Sequence, residues 1–194
     1  MSAEDRERWN ARYAEGAFSE RTWPSALLAE WTDRLPHGKA LDVACGAGRN
    51  ALHLARSGWA VTAVDISGVA LERGARDARA EQLDIEWVEA DLELAELPVP
   101  GPFDVIVLFR YVNLPLIRAL PELLAPGGWL MVEEHLHAPD AENGPSNPAF
   151  RVEPGALKDA LTGQKEMRFE LYSEGMVNDP DGRPFPIARA IAHF

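Results

Sequence analysis

The chain has 194 residues, enough for one domain with a sizeable core, and its 46% hydrophobic and 26% charged content is ordinary for a globular protein. A net charge of -12 at pH 7 counts against a nucleic-acid partner, because gripping phosphates requires a basic surface. The single cysteine, Cys45, leaves neither an intramolecular disulfide nor a cysteine metal cluster. The charged start MSAEDRERWN lacks the apolar core of a signal peptide, and no apolar run approaches membrane-spanning length. The expectation is a cytoplasmic protein without a membrane partner.

Residues 3–15 read as a polar helix in which Trp9 and Tyr13, one helical step apart, share a face. These rings either dock the arm on the domain or close it over a ligand site, with Arg12 near a carboxylate. Pro24 to Arg34 reads as a second helix, with Pro24 in the first turn and Leu27, Leu28 and Trp31 at helical spacing. Ala40–Ala44 is the first strand, and Arg49–Ser57 the first crossover helix, stopped by Gly58. Ala60–Asp65 is a second strand. Ser67 caps the next helix, which runs to about Ala80 with Leu71, Ala75 and Ala78 inward. Ile85–Ala90 is a third strand, and the continuous apolar run Asp104–Phe109 suits a central parallel strand covered on both faces.

After Asn113 the spacing of Leu116, Ile117, Leu120, Leu123 and Leu124 predicts a helix with a kink or restart at Pro121. Pro126-Gly127-Gly128 is expected to turn the chain into a fifth strand, Trp129–Glu133. Residues 137–150 are rich in turn formers and long for a connection, which makes them a candidate substrate lid. A short helix over Pro154–Leu161 and a terminal antiparallel pair, Met167–Ser173 and Ile187–Phe194, complete the chain. Repeated strand–helix alternation predicts a single α/β domain: an open, mostly parallel sheet with helices on both faces and ligands at the C-terminal strand edge.

The chemistry concentrates at that edge. In Leu41–Ala51, LDVACGAGRNA, an apolar strand ends at Asp42, passes a small-residue turn and opens a helix with Arg49 and Asn50. Glycines there let a ligand approach the backbone, and the first helical turn offers unpaired N–H groups. Gly46-x-Gly48-x-x-Ala51 formally matches a dinucleotide fingerprint, with Asp65 as its acid. Asp65 follows the turn somewhat early for that motif, and a carboxylate at Asp42 would repel a diphosphate. S-adenosylmethionine (SAM) has no phosphate. Asp42 suits its ammonium group, Asp65 its ribose hydroxyls, and Asp91 its adenine amino group. A SAM-dependent enzyme is therefore the leading expectation; a non-catalytic SAM-binding module and an NAD(P)-dependent oxidoreductase are its rivals.

LDVACGAGRN, VDIS, EADLE and LAPGGWLMVEE resemble the motifs of class I SAM-dependent methyltransferases. Ala44 departs from the pattern by replacing the usual first glycine, and is expected to fit with a negative φ. WNARY, GAGRNALHLARSGW, FRYVNLPL and PSNPAFRVEPGAL are similar to small tellurite-resistance-type and related small-molecule methyltransferases. The resemblance implies a three-layer Rossmann-like, seven-stranded sheet of order 3-2-1-4-5-7-6 with strand seven antiparallel. It implies SAM as methyl donor, S-adenosylhomocysteine (SAH) as product and a small-molecule acceptor. The cofactor set it points to is Arg12, Asp42, Ala44, Cys45, Gly46, Gly48, Asn50, Asp65, Ile66, Asp91, Leu92 and Phe109.

In-line transfer from a sulfonium depends mainly on positioning, so a general base is optional. Arg110, Tyr111, Asn113, Glu133, Glu134, His135 and His137 cluster at the ends of strands four and five; Tyr111, Glu133 and His135 are the catalytic candidates. His135-Leu136-His137 reads as a base or as lid histidines rather than as a metal site, and no metal is expected. Cys45 favours packing over nucleophilic duty. Arg151 either steers an anionic substrate or pairs with a surface acid. His53 and His193 are expected to be structural, and Trp59 and Trp87 to be core.

Overall fold

The computed structural model describes residues 3–93, 97–139, 141–163 and 167–194. Seven strands form one sheet of order β3-β2-β1-β4-β5-β7-β6. They are β1 Lys39–Val43, β2 Ala60–Asp65, β3 Ile85–Glu89, β4 Phe103–Phe109, β5 Leu124–His135, β6 Arg168–Asn178 and β7 Pro184–His193. β3, β2, β1, β4 and β5 pair in parallel, while β7 runs antiparallel to both β5 and β6. The expected order and the antiparallel seventh strand are both present.

The sheet separates two buried layers, and the two-residue period of the strands sorts side chains between them. In β4, Ile106 and Leu108 join one layer with Leu130, Val132, Ile117 and Leu157. Val105 and Val107 join the other with Leu28, Leu54, Val61 and Met131. Burying each such side chain contributes about 1.5–3 kcal/mol, so β4, covered on both faces, reads as an unbroken apolar run.

Among the described residues six α-helices pack around the sheet: α1 Ala3–Ala14, α2 Ala26–Trp31, α3 Arg49–Arg56, α4 Gly68–Ala80, α5 Leu114–Ala119 and α6 Ala156–Leu161. Among the described residues no helix is long and apolar enough to cross a membrane. Ser67 caps α4 by accepting the Ala70 amide at 3.2 Å. The chain restarts at Pro121 as a 3-10 turn, Leu120–Leu123, because proline lacks the amide that would continue α5.

Several expectations need correction. Pro24 lies before the N-cap Ser25 and outside α2, which is shorter and ends in a 3-10 turn over Thr32–Arg34. Leu124 begins β5 rather than ending a helix. Pro126-Gly127-Gly128 lies within β5 as an irregularity opposite Phe103–Val105, where Gly127 takes φ 76°. On α4 the inward position falls to Gly74, not Ala75: a Cβ on Gly74 would lie 2.5 Å from Cη2 of Trp87. The last two strands are longer than expected, and their tight turn carries Asp179 to the front of the sheet.

Candidate active site

The corner between β1 and α3 is built by backbone strain and a carboxylate. Ala44, Gly46 and Gly48 all have positive φ, at 56°, 56° and 78°. The expected negative φ at Ala44 is therefore wrong, and the left-handed turn costs about 1–2 kcal/mol with a side chain there. The turn persists because its neighbours hold it. Cys45 donates its amide to the Val64 carbonyl at 3.0 Å, and Asp65 accepts the Gly46 amide at 2.8 Å. The second Asp65 oxygen accepts the Ser67 amide at 2.9 Å. Each oxygen keeps a lone pair, so this carboxylate can still receive two hydroxyls. Burial pushes its pKa up, and the backbone amides of Ser67 and Gly46 oppose that.

In front of the corner lies a cavity of about 340 Å³. Ala44, Cys45, Gly46, Asn50, Asp65, Ile66, Leu92 and Phe109 of the expected cofactor set line it, as does Tyr111. Asn50 is also structural, since its Oδ1 accepts the Ser25 amide at 2.8 Å and seats the start of α2. The thiol of Cys45 is pushed well up by burial and by the Asp65 and Asp42 charges, which leaves it inert as a nucleophile.

Four expected cofactor residues stand elsewhere. Asp42 is 1% exposed beneath the turn rather than at its mouth. Burial raises its pKa to about 7, and its Oδ2 has no hydrogen-bond partner among the described residues. Its supposed repulsion of a diphosphate loses force accordingly. Gly48 serves packing: a Cβ there would meet Cη2 of Trp87 at 2.3 Å. Asp91 accepts the Glu93 amide at 2.9 Å and leaves the wall to Leu92. Arg12 is exposed, with its guanidinium 4.8 Å from the Trp9 ring and 5.5 Å from the Phe18 ring.

The arm packs against the domain, and its rings reach the cavity. Asn10 Oδ1 accepts the Ser67 hydroxyl at 2.8 Å, docking α1 on the α4 terminus, while Trp9, Tyr13 and Phe18 line the cavity. The Tyr13 hydroxyl stands over Gly46, and its pKa is raised by burial and by Asp65. Arg73 fixes the following loop by donating to the carbonyls of Ala17 and Phe18.

Of the three catalytic candidates only Tyr111 reaches the cavity wall, and burial pushes its hydroxyl up to about 12. Glu133 is 3% exposed and committed to Arg110, whose Nε donates to it at 2.9 Å. His135 packs against Arg110 and Phe185; burial and then Arg110 lower its pKa to about 3, so it is neutral. Glu134 is fully buried and pushed well up by burial, with Oε1 accepting the Tyr111 amide. Asn113 caps α5, and His137 pairs with Glu153 on the surface. His53 bonds Thr32 and His193 pairs with Glu170, as structural histidines. Arg151 forms no ion pair with a surface acid among the described residues and donates to the Pro145 and Leu136 carbonyls.

Sequence reasoning missed Phe18, Arg21, Thr22 and Asp179. The first three line the cavity from the loop after α1, and Asp179 accepts from Arg110 Nη2 at 2.8 Å. No periodicity marks such loop residues.

The strand order and this corner define the class I SAM-dependent methyltransferase fold. Residues 40–128, a little under half of the chain, match the family model described as a methyltransferase domain. It is 32% identical to a ubiquinone biosynthesis O-methyltransferase of Albidiferax ferrireducens over 125 residues, 60% of this chain and 50% of that protein. The chain thus spans about half the length of that curated relative. The crystal structure of TehB from Haemophilus influenzae superposes with TM-score 0.75 at 23% identity, covering 91% of this chain and 65% of that one. The magnesium protoporphyrin IX methyltransferase of Synechocystis PCC 6803, solved with SAH bound, gives TM-score 0.65 at 15% identity over 87% of this chain and 80% of that one.

Proposed function

We propose that this protein transfers the methyl group of SAM to a small-molecule acceptor. The carrying observation is Asp65: a buried carboxylate, clamped by two backbone amides, on the wall of the cavity before the glycine turn. It is built to accept a ribose diol. The left-handed turn beside it and the apolar wall of Ile66, Leu92 and Phe109 also suit an adenosyl group. When bound, SAM supplies an electrophilic methyl on a good leaving group. The chain's own task is to hold donor and acceptor in line and keep water out, and α1 with Tyr13 and Phe18 covers the cavity for that purpose.

Neither Tyr111 nor His135 exchanges a proton near neutral pH, which favours positioning over side-chain base catalysis. Residues 137–150 serve as an acceptor-side cover. The Leu136–Val152 bridge closes the base of this segment, although residue 140 lies outside the described residues. An acidic chain favours a small acceptor over nucleic acid, and a lone buried thiol suits the cytoplasm.

Calorimetric titration of SAM and SAH on the wild type and on Asp65→Ala tests this directly. Micromolar binding, weakened by about 1–3 kcal/mol in the variant, is the expected result. A folded wild type that binds neither ligand overturns the assignment.

A further inference from the structure

One wall of the cavity gathers guanidinium groups. Arg21 from the loop after α1, Arg49 from the first turn of α3 and Arg110 from the end of β4 all line it, in a chain of net charge -12. Gathering them is unfavourable: burial, then Arg110, then Arg21 lower the pKa of Arg49, against the opposing pull of Asp179 and Glu133. The carboxylates facing these guanidiniums directly are Glu133 and Asp179; Asp181, near Arg21, is held by its own Arg183, and burial raises the pKa values of Asp42 and Glu134 behind Arg49 and Arg110. Glu133 backs Arg110 from within the sheet and is too buried to leave. Asp179 comes from the β6–β7 turn, 69 residues further along the chain, and touches Arg110 Nη2 from outside. His135 is neutral and adds no charge. Three guanidiniums against two carboxylates leave this wall positive. Arg49 donates to the Trp23 carbonyl at 3.3 Å, and among the described residues neither it nor Arg21 has an ion-pair partner.

We propose that this wall is a carboxylate subsite: the methyl acceptor carries a carboxylate that binds Arg21, Arg49 and Arg110 and displaces Asp179 from Arg110. The inference rests on the methyltransferase assignment for the same cavity and names the class of its acceptor. Arg110 already holds one carboxylate that arrives on a surface turn, which shows the chemistry its outer face accepts. The planar fork of a guanidinium matches a carboxylate in two parallel hydrogen bonds, and paired arginines raise the gain from neutralisation.

The test starts with SAH titration on the wild type, which reports on the cofactor alone. With SAH saturating, matched pairs are then titrated: acetate and acetamide, benzoate and benzamide, 4-hydroxybenzoate and 4-hydroxybenzamide, with sulfate and phosphate as inorganic anions. In at least one pair the carboxylate should bind about tenfold or more tightly than its amide. Asp179→Asn should tighten that binding several-fold by removing the competitor. Arg49→Met should lose it with SAH affinity intact, and Arg49→Lys, a charge-keeping check on folding, should lose less. Three results overturn the subsite: amides matching carboxylates in every pair, sulfate or phosphate outbinding every carboxylate, or a folded Arg49→Met variant with carboxylate binding unchanged. If SAH fails to bind, the cofactor assignment falls, and the same pairs titrated without it still decide the arginine subsite.

Discussion

The hydroxyl of Tyr13 occupies the place that any side chain on Gly46 would need: a Cβ built there lies 2.3 Å from it. The arm and the turn are therefore fitted to each other. Gly46→Ala adds a methyl group at φ 56°, so the variant suffers both a backbone penalty and a clash with α1. SAH affinity should drop about tenfold or more. Adding Tyr13→Phe should restore part of it, as measured by calorimetry. Equal losses with and without Tyr13→Phe would show that the clash is irrelevant.

Ala44→Gly should stabilise the protein by about 1 kcal/mol, because glycine adopts φ 56° without the penalty that alanine bears. The urea midpoint should rise with an unchanged slope. A lower midpoint would mean that the packing of the Ala44 methyl against the core outweighs the strain.

Gly74→Ala should destabilise by about 1–3 kcal/mol, as overpacking does. The new Cβ would lie 2.5 Å from Cη2 of Trp87 and 2.8 Å from the Ala47 carbonyl oxygen, and a backbone atom cannot rotate away. Gly74→Ala in a Trp87→Leu background should cost less. A thermal melt of the four proteins decides it.

Asp42 predicts a pH dependence. Its pKa rises from 3.8 to about 7 on burial, so the folded state holds a proton that the unfolded chain has released between those values. Stability from this group is thus greatest below about pH 4 and falls as pH climbs to 7. Asp42→Asn cannot titrate. The melting temperature of the ligand-free variant, relative to wild type, should be higher at pH 8 than at pH 5. A difference that does not change with pH would exclude an ionising Asp42.

Much of the fold was legible because strands and crossovers leave strong local signals. β2 was bounded correctly from AVTAVD, and Ser67 was recognised as a cap from its place before a helical run. The sheet order came from resemblance rather than from periodicity. What stayed hidden depends on contacts between distant segments. Asp42, at the end of an apolar strand, looks the same in sequence whether it faces a ligand or lies under the turn; three-dimensional packing alone puts it at 1% exposure. Gly74 reads as a weak helix position until the Trp87 ring is seen filling the space above it. Glu133 and His135 stand at the expected edge, but Glu133 is buried against the guanidinium of Arg110, and burial, helped by Arg110, keeps His135 neutral.

The turn that bears Asp179 lies beyond the span 40–128 that the family model covers, and so does the arm that bears Tyr13 and Arg21. The shared span supplies the floor of the cavity; the two ends of the chain supply much of its roof and one flank. Exchanging only the ends would therefore reshape that roof and flank while leaving the glycine turn, Arg49 and Arg110 in place.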